Sequence, residues 1–207
     1  MTKNEKDYLK FMNPSNIYTN FMLASLFTTS YGLLKNSIIS QIESFYTNGF
    51  NQNGYILGEK YKTDVLNLDK NNNKLNGSLL WLINHGVISQ DDKEKFDIIR
   101  KERNMIAHNT LKILTDSEKD INTDLLIKIK ELLKKIDQWF ILEVELPTDP
   151  DMTIEQYEAI DTENIQSMSM IYLDYLIGIV FGDTEEYNKL YQKFKEFIVG
   201  KYGKNKI

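Results

Sequence analysis

The chain is 207 residues long, with 42% apolar and 27% charged residues, three prolines and no cysteine. That length suits one domain, or one domain with an appended piece, and the composition allows a packed core rather than bulk disorder. It excludes a disulfide framework and a thiolate metal site, and a net charge of −5 argues against a protein that coats nucleic acid by charge alone.

The opening MTKNEKDYLK is polar and charged, so no signal peptide is expected and a cytoplasmic protein is the default reading. Ile17 to Tyr46 carries Phe21, Leu26, Leu33, Leu34, Ile38, Ile42 and Phe45 at three- to four-residue steps. This predicts a long amphipathic helix, kinked near Gly32. NGFNQNG (48–54) breaks it. A weaker helical pattern covers Ile56 to Leu68, and DKNNNK (69–74) reads as a polar loop. Leu75 to His85 is a short apolar helix closed by Gly86.

Ser89 and Asp92 form a capping box that opens the helix holding RKERNMIAHNT (100–110). Thr115 and Glu118 read as a second box, ahead of Leu125, Ile129, Leu132, Leu133 and Ile136 leading to Trp139. ELPTDPDMT (145–153) is the strongest breaker in the chain. Thr153 and Gln156 then cap another long helix ending near Gly182, and Thr184 starts the last one. The apolar run MIYLDYLIGIVFG (170–182) is too short to span a bilayer and carries Asp174, so it reads as a buried helix. From Lys189 to Lys206 six lysines face one glutamate, a solvated helix face and tail. The expectation is an all-α helical bundle of five or six main helices, with Ile154 onward as a C-terminal helical pair. Residues 1–147 form the domain, and 148–207 an extension packed on it.

Within RKERNMIAHNT, roughly 100° per residue clusters Phe96, Ile99, Ile106 and Ala107 on one side, and Arg103 falls inside that arc. An arginine in an apolar stripe is costly unless its charge meets a partner. Three partners can supply this: a core carboxylate, a second subunit or a phosphate. Asn104 and His108 share one face, with Arg100 a turn earlier. Arg103 and His108 are five apart, about 140° around the axis and 7.5 Å along it, so one straight helix does not easily aim both at one atom. Taken alone, His108 near a helix C-terminus is as readily a dipole-stabilised surface histidine as a functional one.

RNMIAH resembles the Arg-polar-x-x-x-His signature of the HEPN superfamily (higher eukaryotes and prokaryotes nucleotide-binding domains). The long first helix, the short helix NGSLLWLINHG, the turn VIS, the start DDKEKFDIIRKERN and the helix ending in WFILEVELP resemble that family's layout over about 17–147. The resemblance implies a homodimer in which two motif helices share a cleft, and a metal-independent endoribonuclease in toxin or phage-defence service. It implies Arg103 and His108 as catalytic residues, with Asn104 and Arg100 supporting them. His108 would shuttle a proton and Arg103 would grip phosphate, without a cofactor. An antitoxin or nucleotidyltransferase partner is implied in some members. Where some family toxins carry a modified tyrosine two residues after the histidine, this chain has Thr110, against that mode of control. The other reading is a HEPN-like binding or regulatory module that does not cut RNA.

Other constellations carry less. His85, before Gly86, is a capping or surface residue. Two histidines without cysteine or His-x-x-x-His spacing do not make a zinc site. NQNGYILGEK lacks phosphate-loop spacing, TDPDMTIEQYE lacks the glycine of a calcium loop, and no Gly-x-Ser-x-Gly is present. Tyr187, Tyr191, Phe194 and Phe197 stand at helical spacing, as core or interface residues.

Overall fold

Two capped helices begin the fold. In the computed structural model, which describes residues 1–52, 54–182, 185, 188, 189, 191–193 and 195, α1 spans Lys3–Met12 and is opened by a Thr2–Glu5 capping box. The sequence pattern assigned no element to this polar stretch. Asn13 ends α1 and caps α2 (Pro14–Phe45), its side chain accepting from the N–H groups of Ser15 and Asn16. The kink expected at Gly32 is absent, and α2 runs unbroken for 32 residues. Gly32 keeps the N–H that a proline would lose, and Tyr31, Leu34 and Ile38 are buried on either side of it.

The breaker 48–54 becomes part of a hairpin of β1 (Thr47–Asn51) and β2 (Gly54–Leu57), antiparallel, with Phe50 opposite Tyr55. The helix expected from Ile56 therefore starts later, as α3 (Glu59–Asp64) followed by a 3-10 turn. Exposure alternates along Gly54–Leu57 with a period of two, which a helical reading of Ile56 misses. Asn73 caps α4 (Lys74–Asn84), and Gly86 closes it at φ 71°, the left-handed conformation that glycine takes at least cost.

The Ser89–Asp92 box forms and opens α5 (Gln90–Thr115). The second box does not. Thr115 is the last residue of α5, with its hydroxyl donating back to the Leu111 carbonyl, and the following helix α6 starts only at Asp124 and runs to Phe140. The breaker at 145–153 also acts later than expected. A π-helical turn (Ile141–Glu145) leads into α7 (Leu146–Thr148), where Pro147 occupies a first-turn position that needs no N–H donor. The Thr153–Gln156 box opens only the five-residue α8 (Ile154–Glu158). Asp161 then bonds the Glu163 N–H and the Asn164 amide, side-chain bonds that compete with a helix. Ser167 caps a separate helix, α9 (Met168–Phe181). The long helix expected from Thr153 is thus two helices. A start at Thr184, and Tyr187, Phe194 and Phe197, lie outside the described residues.

Among the described residues the fold is all-α apart from one hairpin. α2 lies at the centre and packs on α4, α5, α6 and α9. Phe27, Leu34, Ile38 and Ile42 of α2 meet Phe96, Ile99 and Ile106 of α5, Ile129, Leu133 and Phe140 of α6, and Met170 and Leu173 of α9. Each such side chain contributes roughly 1.5–3 kcal/mol on burial. Asp137 on α6 is buried among them, and the hydroxyls of Ser37 and Ser167 donate to its two oxygens, tying α2 and the cap of α9 to α6. Among the described residues no helix is long and apolar enough to cross a membrane.

Candidate functional site

The first three turns of α5 are an anchored block. Asp92 accepts from the Ser89 N–H and from the ammonium of Lys135 on α6, at 2.9 and 2.5 Å. Burial pushes its carboxyl upward, but Lys135 and the Ser89 donors outweigh burial and hold it at about 2. Lys95 pairs with Asp91, and Lys93 with Asp97. Arg100 reaches Asp97 at 2.7 Å and the Asn76 side-chain oxygen of α4 at 3.1 Å. Its guanidinium therefore ties α5 to α4, and its charge already has a counter-ion.

One turn on, Arg103 is held quite differently. Its guanidinium carbon stands 5.0 Å from the centre of the Tyr31 ring on α2, and Nη1 donates to the Asn104 side-chain oxygen at 3.0 Å. Among the described residues no carboxylate pairs with it, and its Nε is buried without a hydrogen-bond partner. The nearest acid in sequence, Glu102, is engaged by the Asn122 N–H at 3.0 Å. A core carboxylate, one of the three partners that could meet the Arg103 charge, is thus absent among the described residues. A ring face and a neutral amide steer a guanidinium but leave its charge uncompensated.

Tyr31 is the member that sequence reasoning missed. Burial raises its phenol above the usual range, against the pull of Arg103 and Arg100. The signal was present: Tyr31 lies in register with Phe27, Leu34 and Ile38, a phenol within a core stripe.

His108 and Asn104 are exposed on the face expected, and the His108 ring makes no hydrogen bond or ion pair with a described residue. Ala107 is exposed too, so the buried apolar face of α5 passes from Ile106 to Ile113 and Leu114 without it. Directly after His108 the helix is distorted at Asn109 (φ −128°, ψ 28°), and the Thr110 hydroxyl donates to the Ile106 carbonyl at 2.7 Å. Up to His108 the backbone is helical, so the five-residue offset from Arg103 stands. The fold brings Arg103, Asn104 and Tyr31 together, and His108 lies beyond them, exposed.

His85 is a helix-end residue, as expected, with its ring stacked on Trp81 at 3.8 Å and Nδ1 against the Trp81 carbonyl at 2.8 Å. Among the described residues no three His, Cys, Asp or Glu side chains are grouped as a metal would require. No protein-family model, no curated protein and no solved structure matches the chain.

Proposed function

We propose that this protein is a HEPN-type endoribonuclease that works as a homodimer, with Arg103 and His108 as its catalytic residues and Asn104 as a support. The observation that carries the reading is Arg103: a half-buried guanidinium with no carboxylate, an unpartnered buried Nε and an exposed histidine on the same helix. A phosphate supplies the charge and the acceptor atoms that this arginine lacks. The substrate's 2′-hydroxyl attacks phosphorus, forming the O2′–P bond while the P–O5′ bond breaks. His108 takes the proton from the 2′-hydroxyl and delivers it to the departing O5′, and Arg103 holds the phosphate oxygens as charge grows on them. The product ends are a 2′,3′-cyclic phosphate and a 5′-hydroxyl. The toxin or phage-defence setting, and an antitoxin or nucleotidyltransferase partner, belong to this proposal and rest on the sequence resemblance.

The opposing reading, a binding module that does not cut, draws on one observation: nothing described in the protomer orients the His108 ring. Incubation of the purified protein with total RNA in EDTA decides between them. The proposal expects fragments with cyclic or 3′-phosphate ends that vanish in His108→Ala. RNA bound but left intact by the wild-type protein supports the module instead.

A further inference from the structure

Helix α1 is amphipathic in the wrong sense for a monomer. Its inward face is polar: Lys3 pairs with Glu118, Asp7 accepts from the N–H and hydroxyl of Ser117, and Lys10 donates to the carbonyls of Asp116 and Lys119. These three residues recur at four- and three-residue steps, one side of a helix. The opposite side carries Tyr8, Phe11 and Met12, with Leu9 beside them, and no residue of α1 is buried. Tyr18 and Phe21, at the start of α2, continue the same apolar surface. Between the two helices lies an open groove of about 560 Å³, walled by Phe11, Met12, Tyr18 and Phe21.

We infer that this surface is the seam of a homodimer, occupied by the same face of a second copy. The area is right for that occupant. Tyr8, Leu9, Phe11, Met12, Tyr18 and Phe21 are each between 46% and 68% exposed. With about 150–250 Å² per aromatic side chain, the six present on the order of 600 Å². A standard interface takes ~800 Å² per partner, a little over half of it apolar. The charges are right as well. The neighbouring exposed positions hold both signs, Glu5 and Lys6, which suits a two-fold contact of the patch with itself better than a strongly acidic or basic partner. Leu111, one turn past His108, is a further exposed apolar residue, 68% exposed, on α5, the helix whose C-terminal end α1 packs against. This goes beyond the cleavage proposal and holds for a binding module too.

Light scattering tests the seam apart from any activity. The wild type at tens of micromolar should weigh twice 24.3 kDa. Tyr8→Glu with Phe11→Glu should halve that mass while the helical circular dichroism stays unchanged. Phe21→Glu, on a helix secured by its own core, should do the same, so a frayed α1 cannot explain the result. Phe50→Glu, which removes an equally exposed aromatic from the hairpin, should leave the dimer intact. A monomeric wild type overturns the inference, as does a dimer that survives both sets of changes. A monomer that instead floats with phosphatidylcholine vesicles overturns it in favour of a membrane surface.

Discussion

The two halves of α5 obey opposite rules. Between Asp91 and Arg100 every basic side chain has an acid: Lys93 and Arg100 take Asp97, Lys95 takes Asp91, and Lys135 reaches across to Asp92. From Arg103 to Leu111 the helix carries a guanidinium facing a ring, a histidine without a described partner, a backbone distortion and an exposed leucine. The first half is what a chain does to hold a helix in place. The second leaves a buried guanidinium nitrogen and a histidine ring without partners among the described residues, which is why it is the half to test for function.

The largest expected effect separates the halves most sharply. His108→Ala should lower RNA cleavage by on the order of 10²–10⁴. Because the ring is exposed and unbonded to described residues, its melting midpoint should match the wild type. A protein that unfolds on this change would mean that His108 is structural. Arg103→Lys keeps the charge and loses the planar fork, and should cost on the order of 10²–10³ in cleavage with the fold intact. Full activity in that variant would reduce Arg103 to a point charge.

Asp92→Asn should show the reverse pattern, a loss of stability with cleavage retained once folded. The carboxyl is depressed from 3.8 to about 2 in the folded state. Its contribution is therefore complete above pH ~4 and disappears as pH falls through about 2. With Lys135 half exposed, screening reduces it to about 1–2 kcal/mol. Denaturant melts of wild type and Asp92→Asn should differ by that amount at neutral pH and converge toward pH 2. A constant gap would assign the loss to packing. The smallest effect belongs to Lys95→Ala, whose partly exposed ammonium pairs with the exposed Asp91 at 2.7 Å and stands 3.5 Å from Asp92. No shift in its midpoint is expected in calorimetry, and a clear fall would show that the anchored half relies on its surface pairs.

How far each half was legible follows from the range of its interactions. The Ser89–Asp92 box and the Gly86 cap are three-residue and one-residue signals, and both appear where the sequence puts them. The Thr115–Glu118 box has the same local pattern and fails. Lys10 and Asp7, over a hundred residues away, engage 116–120 as a turn, a contact no local pattern encodes. The Arg103 arc was readable from helical geometry. Its Tyr31 partner depends on how α2 lies against α5, and the distortion at Asn109 has no glycine or proline to announce it.

The most direct measurement of the central claim, one site shared by two chains, mixes the two inactive variants. If a site takes Arg103 from one protomer and His108 from the other, a dimer of His108→Ala with Arg103→Lys holds one site with both native residues and one with neither. Cleavage by the mixed sample should return to a part of the wild-type level, with subunit exchange followed by a mass tag. Confirmed exchange without any return of activity would contradict the account and leave Arg103 and His108 to act within one chain or not at all.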